Sequence, residues 1–208
     1  MKIEALTTAI SKEPISLDEL KDQLRLPAGE TREDALLSGY ITGARERVEN
    51  ILNWKLRKQR YYMYLDDWPV SGEIEIPYVP FTTCPSTGIT YKNSESNTTT
   101  FPSTNWVADT NSLLSKPTQP GRIVLDNGKD WPTGELHDVN PIRVEFGVGY
   151  AKTTNVPQNI KLAIGLIVGD WYEHRENTVV VAPGESLQEI SNAAKALLAP
   201  YRNYHFPL

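Results

Sequence analysis

The chain has 208 residues, enough for one domain or for one domain with a large insertion, and needs no disulfide to build a core. With 39% hydrophobic and 23% charged residues, its composition is typical of a folded globular protein and argues against disorder. A formal net charge of −5 argues against tight general binding to a nucleic-acid backbone, and a single cysteine excludes a disulfide within the chain.

A short helix is predicted near the start of the chain. Ser16 and Glu19 have the spacing of a capping box, in which each side chain bonds the backbone amide of the other residue. Leu17, Leu20 and Leu24 then fall on one face, which predicts a helix over residues 17–25.

A long amphipathic helix follows, opened by Thr31 and ending near Trp54 after about 23 residues. Its apolar residues, Val48 among them, recur at spacings of three and four. The opposite face is assigned the charged residues Arg45, Glu46, Arg47 and Glu49. Gly39 and Gly43 each weaken a helix by about 1 kcal/mol relative to alanine, so we expect another backbone to approach closely there.

Residues 56–150 are predicted to form an antiparallel β region of short strands. The final strand is the clearest, because Ile142, Val144, Phe146 and Val148 alternate with polar residues and glycines. The earlier strands fall at residues 60–65, 73–78, 88–91, 105–108 and 122–125, with turn-rich stretches at 92–100 and 114–121.

Two further helices are predicted in the C-terminal quarter. Pro157 suits the first turn of a helix over residues 157–175, and apolar side chains cover most of its circumference. Such a helix is buried on more than one side, so it lies at the centre of the core or at a subunit contact. Gly165 and Gly169 leave a flat stripe for close packing. A second capping-box pattern, Ser186 to Glu189, opens a last helix over residues 187–199.

These elements predict an α+β protein: an antiparallel bundle of four helices with an antiparallel β-rich insertion between the second and third helices. We expect a discontinuous helical domain, residues 1–55 and 156–208, and an insertion at 56–150. The residues expected to make core or subunit contacts on the helices are Tyr40, Val48, Ile164, Ile167, Trp171 and Tyr172.

The residues that most often carry chemistry do not form a recognisable constellation in this sequence. His137, His174 and His205 have no ligand-like spacing, and Cys84 lies beside no basic cluster. The sequence therefore predicts no enzyme activity, no metal site and no cofactor.

The acidic pairs and the aromatic side chains leave two alternatives open. Asp66–Asp67 and the pair Asp126 and Asp130 suit acid–base chemistry or calcium, although Asn127–Gly128 is a turn dipeptide and the bidentate glutamate of a calcium loop is missing. Aromatic residues in the β region suit sugar stacking, but cross-strand pairing is the commoner role of such residues. A small hydrolase and a carbohydrate- or receptor-binding virion module are therefore the rival interpretations.

Taken in order, several stretches resemble the head–tail connector proteins (adaptors, or head-completion proteins) of tailed bacteriophages and prophages. They span nearly the whole chain: 15–21, 33–37 with 44–49, 120–125 with 131–132, 143–150, 156–164, 171–175 and 196–202. The polar stretches 92–100 and 110–118 have no match in that family. Other neck and tail ring proteins, such as stoppers and terminators, are a closer alternative, but they lack the N-terminal helix pair.

The resemblance implies a structural virion protein. Family members form a ring, usually dodecameric, that docks beneath the portal protein at the neck, extends the DNA channel and supports stopper or tail-completion proteins. DNA would pass through the lumen without specific binding, which an acidic chain suits.

The remaining expectations concern location and the C-terminal tail. The single cysteine indicates a reducing compartment, here the bacterial host cytoplasm, where the subunit would be made. The sequence contains no run of about 18 apolar residues, so no membrane span is predicted. Residues 1–10 lack the pattern of a secretory signal. The aromatic tail suggests a contact with the portal through Tyr201, Arg202, Tyr204 and Phe206, or else a tail folded back on its own helices.

Overall fold

The computed structural model describes residues 1–6, 12–27, 29–110, 120–174 and 191–202. Within these residues the protein is α+β, with four α-helices and nine strands whose ladders are all antiparallel. The helices are α1 (Leu17–Gln23), α2 (Asp34–Leu52), α3 (Gln158–Glu173) and α4 (Asn192–Leu198). The strands are β1 (Lys2–Ala5), β2 (Gln59–Leu65), β3 (Glu73–Glu75), β4 (Phe81–Thr83), β5 (Ile89–Lys92), β6 (Thr98–Thr100), β7 (Trp106–Asp109), β8 (Arg122–Leu125) and β9 (Ile142–Val148).

Contacts between Cα atoms divide the described residues into two compact units. The helical unit contains residues 12–27, 29–52, 152–174 and 191–202. The β unit contains residues 1–6, 53–110 and 120–151.

The predicted capping box opens α1 in the helical unit. The Glu19 amide donates to Ser16 Oγ at 3.2 Å, and the Ser16 amide donates to the Glu19 carboxylate at 2.7 Å. The helix then buries Leu20 and ends with Leu24 as its C-cap. The sequence thus located this helix to within two residues at its end.

The second helix is shorter than predicted. It begins at Asp34 and not near Thr31, and it ends at Leu52. Trp54 lies in the β unit, where it is fully buried and forms a bridge with Val79. The apolar periodicity therefore continued past the end of the helix into the first residues of the next unit.

The charged run on α2 is also arranged differently from the prediction. Arg45 and Glu49 lie among the buried residues of the helix, on the same side as Ile41 and Val48. At four residues apart they pair with each other, and mutual pairing is what allows charged side chains to be buried.

The third helix packs against α2 and α4. Its glycine stripe meets α1: a Cβ at Gly165 would lie 2.0 Å from Gln23 Oε1, and one at Gly169 would lie 3.6 Å from Leu24 Cδ2. The expectation of close packing at this stripe is confirmed. The predicted cap of the last helix, at Ser186 and Glu189, lies outside the described residues, and α4 begins after Ser191, whose hydroxyl accepts from Ala194 N.

Two sheets make up the β unit. The larger has the strand order β1-β2-β9-β5-β6, with β4 also paired to β9, and the smaller has the order β3-β8-β7. Ile142, Val144, Phe146 and Val148 of β9 are fully buried, as their alternation predicted. They pack in the core of the β unit against the inward side chains of β2, Tyr61 and Met63.

The first strand was missed by the sequence analysis, which placed residues 1–55 with the helices. Lys2–Ala5 pairs with Tyr61–Tyr64 of β2 at the edge of the larger sheet. Charged and apolar residues alternate in this strand, but a run of four residues is too short to predict a strand by itself. The stretch 92–100, predicted as turn-rich, includes the hairpin between β5 and β6, while residues 111–119 lie outside the described residues.

Candidate interaction surfaces

Three of the six predicted contact residues on the helices are core residues. Val48 and Ile164 are fully buried and Ile167 is 3% exposed, so these side chains hold α2 and α3 within the helical unit. They are not available to a partner while the unit is folded.

The other three, Tyr40, Trp171 and Tyr172, form a half-buried aromatic edge of the helical unit. The rings of Tyr40 and Trp171 meet edge to face with centroids 6.0 Å apart, and Tyr172 donates a hydrogen bond of 2.6 Å to Glu33. Gly43 makes room for this arrangement, because a Cβ there would lie 3.3 Å from the Trp171 ring. The close approach expected at Gly43 therefore comes from a side chain and not from a backbone.

Gly39 does not fit the expectation of a close neighbour. It is exposed, and outside its own stretch of helix no atom of the described residues lies within 4 Å of the position that a Cβ would take. Leu36, three residues earlier, is 39% exposed. Leu36 and Gly39 together are named the α2 patch below.

A second exposed apolar pair lies on α3. Leu162 and Leu166, four residues apart, are 42% and 36% exposed. Leu162 lines a groove of about 360 Å³ whose other lining residues belong to α1, to α3 and to Ile15. Leu162, Leu166 and this groove are named the α3 patch. The sequence indicated such a surface, because the helix is apolar on nearly every side. It did not indicate which side stays exposed.

A buried ionic network, which the sequence analysis did not identify, ties the segment before α1 to α2. The Arg45 guanidinium bonds Glu13 at 2.8 Å, Glu49 at 2.9 Å and Glu46 at 3.0 Å. Burial alone would lower the pKa of Arg45, but attraction to Glu49 and Glu13 outweighs it and raises the pKa further. Arg45 therefore stays charged and acts as a structural cation.

The C-terminal tail is described as far as Arg202. Tyr201 is 3% exposed, while Arg202 is exposed. Burial of Tyr201 agrees with the folded-back alternative for this residue and removes it as an exposed anchor. Tyr204 and Phe206 lie outside the described residues.

Residues considered for chemistry occupy structural positions. Burial, with a smaller contribution from Glu145, raises the pKa of the Cys84 thiol to about 12, so the nucleophilic thiolate is scarce at neutral pH. Asp126 O accepts from Lys129 N at 3.0 Å and Gly128 has a φ of +70°, which together form the turn that Asn127–Gly128 predicted. Among the described residues no three His, Cys, Asp or Glu side chains are grouped to hold a metal ion.

Aromatic residues of the β unit pack mainly on one another. Trp68 stacks on Trp131 with ring centroids 4.7 Å apart, and Phe101 lies within 5.8 Å of both rings. Tyr61 stacks on Phe146 of the neighbouring strand at 5.8 Å. Packing and cross-strand pairing are the roles that the sequence analysis favoured for these residues over sugar stacking. No helix within the described ranges has the length and apolar character needed to cross a membrane.

Part of the chain matches the model of a known protein family. Residues 14–101 match the model of the phage gp6-like head–tail connector proteins. This range contains the capping box of α1, Arg45 with its partners Glu46 and Glu49, and the α2 patch. None of the curated proteins matches the sequence.

Solved structures with the same fold come from gene transfer agent (GTA) particles. A chain from the virion of the native GTA particle has a TM-score of 0.74 at 19% identity, and one from the neck of the empty particle, computed with C6 symmetry, has 0.75 at 20%. A chain from the neck of the native particle, computed with C12 symmetry, has 0.70 at 18%. Each match covers 100% of this chain and 98% of the other, and at these identities it establishes the shared fold. The resemblance found in the sequence is thus confirmed over residues 14–101, which match the model of the phage gp6-like head–tail connector proteins.

Proposed function

We propose that the protein is a head–tail connector, or adaptor, subunit of a phage-like particle. It docks beneath the portal of a filled head, extends the DNA channel and gives stopper or tail-completion proteins a platform. The match of residues 14–101 to the connector family carries this proposal. Agreement of the fold along the whole chain with chains from a GTA neck supports it.

The proposed assembly is a closed ring of identical subunits, with twelve copies in the particle. The neck structures that share the fold were computed with C6 and C12 symmetry, which supports a ring of this order. A closed ring requires two different surfaces on each subunit, because every copy contacts one neighbour on each side.

In this arrangement the protein is a structural part and not an enzyme. Its Cys84 thiol is protonated, and its buried cation Arg45 is paired with three carboxylates. The net charge of −5 suits a lumen along which DNA slides without sticking. The proposed location is the virion neck, and no cofactor is required.

We propose that the four helices form an antiparallel bundle and that the β unit is an insertion in it. The chain order supports this, because β2 to β9 lie between α2 and α3. The proposed boundaries are shifted from 55 and 156 to 52 and 152, with β1 joining the insertion. The insertion is the part proposed to face a partner protein.

The portal contact proposed for the C-terminal tail falls on Arg202, Tyr204 and Phe206. Because Tyr201 is buried, deleting residues 203–208 leaves this core residue in place. We expect the truncated protein to keep its melting temperature and to bind portal-bearing heads more weakly. Full binding by the truncated protein would remove the tail from the interface.

Electron microscopy of particles made with and without the gene tests the proposed function. We expect filled heads without tails when the gene is deleted, and a missing layer of density beneath the portal. Normal tail attachment in the absence of the protein would overturn the connector assignment.

A further inference from the structure

The α2 patch points away from the core of the helical unit. Successive residues of a helix are separated by about 100°, so Leu36 lies about 140° around α2 from the buried Ile41, and Gly39 about 180° from the buried Val48. Gly39 therefore marks bare backbone on the outer side, flanked by an exposed leucine. Among the residues that the structure describes, nothing packs against this glycine, although it weakens the helix.

The α3 patch points in a different direction. Trp171 contacts α2 at Tyr40, and by the same rotation Leu166 and Leu162 lie about 140° and 180° around α3 from Trp171. The two leucines therefore face away from α2. One subunit can use the α2 patch and the α3 patch at the same time, as each member of a closed ring must.

Charges beside the two patches are complementary. Arg32, four residues before Leu36, is exposed. The groove beside Leu162 carries Glu19 and the exposed Asp22, and the one cation among its described lining residues, Lys161, lies 3.9 Å from Glu19. An arginine arriving with Leu36 thus meets a groove that is acidic on balance, which favours a copy of this chain as the occupant.

We infer that the α2 patch of one subunit packs against the α3 patch of the next, with Leu36 in the groove beside Leu162 and Arg32 near Asp22. The bare backbone at Gly39 lets the neighbouring helix approach closely. This inference rests on the proposed ring and specifies which surfaces close it.

Cysteine cross-linking in assembled particles tests the contact. In a Cys84→Ser background, a chain carrying both Leu36→Cys and Leu162→Cys is incorporated and oxidised. A head-to-tail contact yields a ladder of covalent multimers, because every subunit bonds two neighbours. Each single variant alone stays monomeric, and a mixture of the two yields dimers.

Other outcomes overturn the inference in distinguishable ways. Dimers from Leu36→Cys alone would mean that like patches meet, and particles that contain the protein without any cross-link would mean that these patches do not touch. In both cases the connector function stands. Particles that assemble normally and lack the protein would overturn the connector function itself.

A charge exchange provides a second measurement that does not depend on disulfide geometry. We expect Arg32→Asp to lower incorporation into particles by at least about tenfold, and Asp22→Arg in the same chain to restore it. Lys195→Asp in α4 is the matched control, since Lys195 is also an exposed cation and belongs to neither patch. An equal loss in the control, or no recovery in the double variant, would contradict the contact.

Discussion

At the scale of single residues, Gly149 is the position where the fold depends most directly on the absence of a side chain. Its φ is +84°, and a Cβ there would lie 2.1 Å from the Arg57 carbonyl oxygen. We expect Gly149→Ala to lower the free energy of unfolding by roughly 2–4 kcal/mol, combining the left-handed backbone cost with a clash. Gly128→Ala is the control, because Gly128 has a φ of +70° and open space. Urea unfolding of both variants separates the two costs, and equal losses would exclude a clash.

Cys84 gives the second residue-scale prediction. With a pKa of about 12, its thiolate fraction at pH 8 is roughly a thousandfold below that of an ordinary cysteine. We expect a thiol reagent to label the native protein slowly and the urea-unfolded protein at the normal rate. Equal rates in the two states would show that burial does not protect this thiol.

At the scale of elements, the capping box of α1 makes stability depend on pH. Hydrogen bonds from Ser16, first of all from its backbone amide, lower the pKa of Glu19 below its usual value. A lowered pKa in the folded state contributes stability above the unfolded pKa of about 4.3, and this is lost as pH falls through the folded value.

The expected result is that Glu19→Gln destabilises the protein at pH 7, since the amide keeps the cap geometry without the charge, and that this effect disappears as the pH falls through the lowered pKa of Glu19. Thermal unfolding at pH 7 and at a series of acidic pH values measures the difference. Ser16→Ala is the comparison, with a cost of about 1 kcal/mol at pH 7. A constant difference for Glu19→Gln across this range would contradict a role for the carboxylate charge.

Local signals explain which elements were predicted from the sequence. The box at Ser16 and the alternation in β9 depend only on neighbouring residues, so their positions were predicted correctly. The end of α2 and the pairing of β1 depend on contacts distant in sequence, which no short pattern contains. Arg45 was assigned to the polar face because its burial requires Glu13, 32 residues away.

At the scale of the whole molecule, the family was readable from the order of elements, but the surfaces were not. Val48, Ile164 and Trp171 share the same apolar character in the sequence, yet two are core and one lies at a half-buried edge. Leu36, Leu162 and Leu166 are apolar residues of the same two helices and differ from them in the side of the helix on which they lie. Tertiary packing decides which side of each helix faces the core, so the two patches became visible only in the structure.

Gly39 connects the stability of one subunit with assembly of the ring. Because a Cβ at Gly39 would meet none of the described residues outside its own stretch of helix, we expect Gly39→Gln to raise the stability of the isolated subunit by up to about 1 kcal/mol through helix propensity. The same side chain would hold the neighbouring helix away and reduce incorporation into particles. Ala193→Gln, at an exposed position of α4, should change neither property strongly. Melting temperature and the amount of protein per particle measure the two effects, and a variant that is both more stable and fully incorporated would show that Gly39 does not serve the ring.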